Sequence, residues 1–384
     1  MLSYWEQQSF LSYTYIVIGS GIVGLTTAIE LKERHPKASV LVLERGLLPT
    51  GASSRNAGFA CMGSLTELLD DNQYHTEHEI TTLFEQRKSG LERLRARLGD
   101  ERIGYAANGS YELISDTELP ALERMEYLNQ LLYPIIKQPA YKLANHKIQE
   151  FGFSAGFTKA LVENACEGEI HTGKMLRALL DMALQQGVEV KTGATVTRFE
   201  DGERQATVHI ADPLRGEDLV LQCEALCICT NAFTRTLLPD ADVTPGRGQV
   251  LITEPIAGLK FKGVFHFDAG YYYFREVDGR VLLGGGRNIN FAGETTTELA
   301  ITEQIQNALE AKLREVILPH TPYNIAQRWA GIMAFGKTKE PIVQAFGKRI
   351  YGGFRMGGMG VALGSETGMR VAEMVECTNS DCFF

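Results

Sequence analysis

The sequence has no apolar run approaching the ~20 residues of a membrane-spanning helix, so no integral membrane segment is expected. Neither a basic n-region nor an apolar h-region precedes the first strand-like run, so a secretory leader is not expected and the protein is placed in the cytoplasm. The seven cysteines, Cys61, Cys166, Cys223, Cys227, Cys229, Cys377 and Cys382, form no C-x-x-C pair. An odd count in a chain of this length suits a reducing compartment, and no metal site is expected. Positive charge is not in excess: 38 Lys and Arg face 47 Asp and Glu, a net charge of −9. The basic residues are scattered, which argues against a nucleic-acid footprint or a basic membrane patch. Internal repeats and low-complexity segments are also lacking. These absences leave a small molecule as the expected partner.

What is present is a chain of 384 residues with 44% hydrophobic content, enough for two domains at roughly 150 residues each. Its organising stretch begins at Tyr15-Ile16-Val17-Ile18, a short β-rich run followed at once by Gly19-Ser20-Gly21-Ile22-Val23-Gly24 and a helix-period segment from Leu25 to Arg34. That pattern predicts strand, tight turn and helix. Gly19 permits the bend, Gly21 lets backbone approach a pyrophosphate, and Gly24 lets the helix lie close on the strand. The helix N-terminus, at Ile22 and Val23, then faces the phosphates. A second strand, Ser39 to Leu43, ends in Glu44, twenty positions beyond Gly24, where a carboxylate can accept hydrogen bonds from ribose hydroxyls. Glycine turns also join strands to helices for packing alone, but strand, helix and acid together predict a dinucleotide site. Which dinucleotide stays open on these residues.

Gly51-Ala52-Ser53-Ser54-Arg55-Asn56-Ala57-Gly58-Phe59 has no helix or strand period and can lie against a flat ligand. Helices are predicted over Glu79 to Leu98 and Glu118 to Leu132, with a strand at Gly109 to Ile114 between them, as parts of a separate layer. A helix from Met175 to Gln186 is closed by Gly187 and followed by a hairpin through Val196 and Val208. Leu226-Cys227-Ile228-Cys229-Thr230-Asn231-Ala232 reads as a buried strand ending in small polar residues, where α/β sheets meet ligands, and its two cysteines read as packing. Strand signals dominate from Pro239 to Phe346, with a helix from Glu298 to Val316, as in an antiparallel sheet carrying helices. Strand, glycine turn and helix then recur at Arg349 to Tyr351, Gly352 to Gly360 and on to about Val375. At the N-terminus, Trp5, Phe10 and Leu11 belong to an arm that either packs on the sheet edge or touches a bilayer.

These pieces, in this order, resemble the FAD-dependent D-amino-acid oxidase superfamily, which includes glycine oxidase, sarcosine oxidase and γ-glutamylputrescine oxidase. Besides the first glycine turn, the resemblance rests on Gly51 to Gly58, on Thr230-Asn231-Ala232-Phe233-Thr234, and on Pro245-Gly246-Arg247-Gly248-Gln249. Tyr273-Phe274-Arg275 ahead of Asp278-Gly279-Arg280 and the C-terminal glycine turn complete it, and the T-N-A, R-G-Q and Y-F-R segments look most like the γ-glutamylputrescine oxidase branch. The resemblance implies an α/β fold: a Rossmann-type, glutathione-reductase-like FAD-binding domain with a second, antiparallel-sheet α+β substrate domain. The FAD-binding domain would be discontinuous, over residues 1–75, 150–235 and 325–384, and 76–149 with 236–324 would form the substrate domain. Gly19, Gly21, Ile22, Val23 and Gly24 would hold the pyrophosphate, Glu44 and Arg45 the adenosine end, and Val196 the adenine by backbone. Ser53, Ser54, Arg55, Asn56 and Gly58 would line the isoalloxazine, with Thr230, Asn231 and Gly331 in the same FAD site. Gly358, Met359, Gly360 and Val361 would offer N–H groups to the pyrimidine end of the flavin.

Two departures from the family pattern carry information. Where glycine-oxidase-like members hold a substrate carboxylate with an arginine, the matching segment Ala330-Gly331-Ile332-Met333 offers Met333, which cannot form a bidentate pair. The positions matching a flavin-linked cysteine and an oxygen-activating lysine are glycine or apolar, which implies noncovalent FAD and leaves open whether the electron acceptor is oxygen or another carrier. The implied activity is oxidation of a C–N bond in an amine or amino-acid derivative by hydride transfer to flavin. A dehydrogenase of a 2-hydroxy acid and a non-catalytic flavin-binding module are the alternatives. Tyr271, Tyr273 and Arg275 share one strand face by two-residue alternation. That face either looks into the site, with Arg275 orienting a polar or anionic group and Asn56 and Met333 nearby, or is solvated. Arg355 either lines the entrance beside Met356 or forms a structural ion pair, and His171 reads as a helix cap.

Overall fold

The computed structural model describes residues 1–214 and 216–379, so Cys382 lies outside the described residues. Two eight-stranded sheets organise it. The first is centred on Ser12–Ile18, which pairs in parallel with Val40–Leu43 on one side and Glu217–Ile228 on the other. Glu189–Lys191 and Ile350–Phe354 extend the parallel array outward. Strands buried on both faces should read as continuous apolar runs, and the central strand does so for an identifiable reason. Tyr15 and Val17 face a helical layer that includes Ile22–Arg34, Thr172–Gln185 and Gly360–Asn379, whereas Ile16 and Ile18 face an antiparallel meander of Val196–Asp201, Ala206–Asp212 and Glu217–Ile228.

The helix Glu77–Leu98 also belongs to this helical layer and not to the separate layer expected for residues 76–149. Its Ile80, Phe84, Leu91 and Leu94 enter the same apolar core, and Gly90 lets it approach the C-terminal helix so closely that a Cβ there would lie 2.0 Å from the Ala362 carbonyl oxygen. Apolar spacing gave the helix but not its docking partner.

The second sheet runs in the order Ile325–Phe335, Thr244–Thr253, Arg280–Gly285, Tyr272–Val277, Val264–Phe267, Ser110–Ile114, Ala160–Asn164, Tyr141–Leu143. It is antiparallel except where Val264–Phe267 pairs in parallel with Ser110–Ile114, a strand from far earlier in the chain that no hairpin connects to it. Strands 160–164 and 325–335 lie in this sheet, so the exchange between the two sheets falls at other points than residues 150 and 325. One face buries an aromatic core of Phe153, Phe261, Phe265 and Phe274, with Phe265 and Phe274 stacked at 4.7 Å, under the helix Glu303–Lys312. The alternate residues, Val264, His266, Tyr273 and Arg275, face the first sheet.

Three local expectations change. The stretch 51–58 contains a short helix, Ala52–Arg55. The segment 118–132 divides into a 3-10 turn, Asp116–Arg124, which contains Pro120, and an α-helix, Met125–Ile136. The N-terminal arm begins with a helix, Tyr4–Ser9, held by a capping box between Ser3 and Glu6; none of the helix residues is buried and Trp5 is 71% exposed, whereas Leu11 packs on the core of the first sheet and its carbonyl accepts from the Gln222 N–H at 2.8 Å. No helix among the described residues is long and apolar enough to cross a membrane.

Candidate active site

A cavity of about 910 Å³ lies between the sheets, and both glycine turns open onto it. At the first turn the glycines do what the spacing demanded. Gly19 sits at φ +105°, where a Cβ would lie 2.7 Å from the Cys229 carbonyl oxygen, and a Cβ at Gly24 would lie 1.9 Å from the Gly19 oxygen. Gly24 is thus a packing glycine behind the cavity wall, while Gly19, Gly21, Ile22 and Val23 line the cavity. The helix Ile22–Arg34 has no side-chain cap from Gly21; Ser53 Oγ instead accepts from the Ile22 N–H at 3.0 Å.

Glu44, at the end of the second strand, is buried and lines the cavity. Its carboxylate accepts from Ser20 Oγ at 2.7 Å, from the Ser20 N–H at 3.1 Å and from the Gly46 N–H at 3.0 Å. Arg45 lies over the Phe233 ring at 3.6 Å, and Val196 is on the same wall. Thr230 and Asn231 line the middle. Asn231, at φ +46°, accepts through Oδ1 from the Arg355 and Met356 N–H groups and so ties the strand Glu217–Ile228 to the C-terminal turn.

In the small-residue loop, Ser53, Arg55 and Asn56 reach the cavity, whereas Ser54 and Gly58 do not line it. Ser54 Oγ donates to main-chain oxygens of its own loop, and Gly58 passes its carbonyl to Arg275. Asn56 is committed on every side: Oδ1 accepts from the Gly58 N–H and Thr172 Oγ1, each at 2.9 Å, and Nδ2 donates to the Ala52 and Ser53 carbonyls. It shapes the loop. Arg55 donates to the Ala330 carbonyl at 3.0 Å, and Gly331 admits the Arg55 side chain, since a Cβ there would be 3.2 Å from it. Gly358, Met359, Gly360 and Val361 line the far end, where the helix Gly360–Asn379 begins.

Neither Arg275 nor Arg355 lines the cavity. Arg275 Nη1 donates to the Gly58 carbonyl at 2.8 Å and the Ile170 carbonyl at 2.9 Å, Nε donates to Glu276, and Glu169 lies 3.5 Å from Nη2. The strand alternation was right, but at this position the facing element is the Gly58 loop, which fills the space and takes the donors. Arg355, at φ +70°, pairs with Asp242 and donates to Thr338 Oγ1 at 2.8 Å and the Glu340 carbonyl at 2.9 Å, the structural ion pair of the two readings. His171 caps the helix Thr172–Gln185 by accepting from the Lys174 N–H. Tyr271, Tyr273 and Met333 do line the cavity. Burial pushes the Tyr273 phenol up to about 12, so it is a hydrogen-bond donor and not a base near neutrality.

The cavity wall also contains residues that sequence reasoning missed: Phe59, Cys61, His266, Arg287, Phe291 and Phe335. Phe59 meets His266 and Tyr273 edge-on at 5.2 and 5.5 Å. The Cys61 thiol, 3.2 Å from the Met359 sulfur, is held protonated by burial. Behind His266, Glu167 lies 3.4 Å from Nε2, and the pairing raises the imidazole while lowering the carboxyl. The one sequence signal for Arg287 was its place directly after Gly284-Gly285-Gly286, a run that allows close backbone approach.

FAD fits this cavity on its own features: it is long, two glycine turns and two helix N-termini face it, and side chains at Gly19 and Gly24 would collide with main chain. The family described as FAD dependent oxidoreductase matches residues 14–374, and the chain belongs to it. The bifunctional protein ThiO/ThiG of Trichormus variabilis is 24% identical over 336 residues, covering 85% of this chain and 47% of that protein, so the chain spans about half the length of that relative. Glycine oxidase of Pseudomonas aeruginosa is 24% identical over 330 residues, 84% of this chain and 83% of that one. The mitochondrial L-2-hydroxyglutarate dehydrogenase of Nematostella vectensis is 24% identical over 364 residues, 85% of this chain and 74% of that one. Among solved structures, glycine oxidase from Geobacillus kaustophilus superposes with a TM-score of 0.77 at 18% identity over 95% of both chains. The L-proline dehydrogenase from P. horikoshii does so with 0.75 at 19% identity over 95% and 93%. The chain is an enzyme, an FAD-dependent oxidoreductase with the FAD-binding α/β fold of this family.

Proposed function

We propose that the enzyme binds FAD noncovalently along the cavity and oxidises the C–N bond of an amine or amino-acid derivative, within the γ-glutamylputrescine-oxidase-like branch. The observation that carries this reading is the continuity of the cavity from Glu44 past both glycine turns to Tyr273 and Met333. When bound, FAD would supply the chemistry as acceptor of a hydride from the carbon next to nitrogen, with oxygen or another carrier as the final electron acceptor. The protein's part is positioning. Gly19, Gly21 and the N-terminus of the helix Ile22–Arg34 hold the pyrophosphate, Glu44 the ribose, and Arg45 and Val196 the adenosine end. N–H groups of Gly358, Gly360 and Val361 would face the flavin's pyrimidine end, where helix polarity favours negative charge, whereas the Met359 N–H is donated to the Met356 carbonyl at 2.9 Å. Tyr273 donates from its phenol, and Met333 with Phe59 excludes water from the reacting carbon. Protonated Cys61 is a poor nucleophile and leaves the flavin unattached.

Anaerobic titration of the holoenzyme with a panel of amines and amino-acid derivatives should bleach the flavin absorbance. A second reading, oxidation of a 2-hydroxy acid, is favoured by the likeness to an L-2-hydroxyglutarate dehydrogenase. Bleaching by hydroxy acids and by no amine would replace the first reading with the second.

A further inference from the structure

The cavity wall carries an arginine, Arg287, with no anionic partner among the described residues. Lys339 reaches the cavity but is bound to Asp71 and lies 3.6 Å from Glu67; Arg45 lies over Phe233 near Glu44; Arg55 donates to main chain; Lys337 stands exposed at the mouth. Arg287 differs from all of these. Its guanidinium sits between two rings, 4.3 Å from the Phe335 centroid and 5.0 Å from that of Phe291, and its Nε is buried with no hydrogen-bond partner among the described residues. Of the two acidic groups that act on it, Tyr271 and Glu294, the carboxylate is already held by Arg247 at 2.8 Å and Gln249 at 3.0 Å. A half-buried guanidinium whose buried Nε lacks a hydrogen-bond partner and whose faces meet rings is a site for a carboxylate.

Its distance from the reaction zone is fixed by a glycine floor. Gly246 and Gly248 alternate on the strand Thr244–Thr253. A Cβ at Gly248 would lie 3.0 Å from Met333 Cε and 3.7 Å from Tyr273 Oη, and one at Gly246 would lie 2.5 Å from the Phe335 ring and 2.9 Å from Arg287 Nε. Met333 in turn lies beside the C-terminal turn, its sulfur 3.5 Å from where a Gly358 Cβ would be. The order outward is therefore Gly358, Met333, Phe335, Arg287. Met333 and Phe335 are two residues apart on one strand face, a step of about 7 Å.

We infer that Arg287 holds the substrate's anionic group, one strand step beyond Met333, so that the preferred substrate carries its carboxylate several bonds away from the C–N bond that is oxidised. This rests on the C–N reading for the identity of that bond, but the anion site itself does not. A carboxylate on the reacting carbon would stop at Met333, where the Tyr273 phenol is near but, among the described residues, no free cation pairs with it. An amine with a remote acid spans from the flavin turn, past Met333 and Phe335, to the guanidinium.

The test uses FAD-loaded enzyme and non-oxidisable probes: acetate, butanoate and hexanoate, each against its amide, followed by the flavin spectrum and by the rise in unfolding temperature. Hexanoate should bind at least about tenfold more tightly than hexanamide, with acetate and acetamide alike. Arg287→Met should abolish the acid preference and leave hexanamide binding unchanged, and Arg287→Lys should keep part of it. An acid preference that survives in Arg287→Met, or one that is largest for acetate, overturns the assignment. The chain-length series on the unsubstituted enzyme decides even if a variant loses its FAD. If no amine bleaches the flavin while the acid preference tracks Arg287, the C–N reading fails and the anion site stands.

Discussion

The two ends of the cavity are built by different means. Toward the FAD turns the wall is largely main chain: glycines at φ values or separations that a side chain would forbid, with helix N-termini behind them. Toward the second sheet the wall is side chains, Tyr273, Met333, Phe335 and Arg287, standing over a glycine floor. A main-chain site is specified by which residues are absent and is encoded in short local runs. A side-chain site is specified by which residues meet, and these come from strands far apart in sequence.

Substitution at the first glycine turn should give the largest effect. Gly24→Ala places a Cβ 1.9 Å from the Gly19 carbonyl, whereas at Gly51 a Cβ meets nothing within 4 Å. Gly24→Ala should cost roughly 3 kcal/mol or more and lose FAD, and Gly51→Ala should stay within about 0.5 kcal/mol. Equal unfolding temperatures for the two would mean that close backbone packing does not set the cofactor side apart.

The contrast between arginines on the substrate side comes next. Arg275→Met removes one donor each from the Gly58 and Ile170 carbonyls and the cation 3.5 Å from Glu169, and should destabilise by about 3 kcal/mol. Its choice between acidic and neutral ligands should not change, while Arg287→Met should change ligand choice and leave chemical denaturation midpoints in place. Selectivity loss in Arg275→Met would reverse the two assignments.

Buried charge near the second sheet should show itself in the pH profile of stability. Burial raises the Glu112 carboxyl from 4.5 to about 7 despite hydrogen bonds from Thr66. The folded state then binds a proton that the unfolded state releases, so stability is greatest below the unfolded value and falls as pH rises from 4.5 toward 7. At 1.4 kcal/mol per unit, the loss is of order 3 kcal/mol. His266, raised by Glu167, acts with the same sign, since its contribution is present below its unfolded value of 6.5 and is lost as pH rises through the higher folded value. Glu112→Gln should flatten the lower part of the profile; an unchanged slope between pH 5 and about 7 would rule Glu112 out as its source.

The smallest effect should be at Glu44. Glu44→Ala removes a hydrogen-bonded carboxylate and should weaken FAD binding by ~1–3 kcal/mol without unfolding the enzyme. Full affinity in a fluorescence titration would show that Ser20 and Gly46 are its whole purpose.

Local sequence carried the cofactor side because its constraints act between neighbours. Strand, Gly19, Gly21, Gly24 and helix fall within twenty residues of chain, and steric exclusion at a tight turn leaves glycine as the residue that fits. The same holds for the C-terminal turn and for the His171 cap. Tertiary structure decided the rest. Two-residue alternation put Tyr273 and Arg275 on one face, but only the docked Gly58 loop determined that Tyr273 meets the cavity and Arg275 meets carbonyls. Met333 marks the missing clamp by residue type alone, whereas the cation proposed to replace it stands on another segment, because a side-chain site needs only proximity in space. Pairing between strands 244–253, 280–285 and 325–335 creates that proximity, and no spacing along the chain records it.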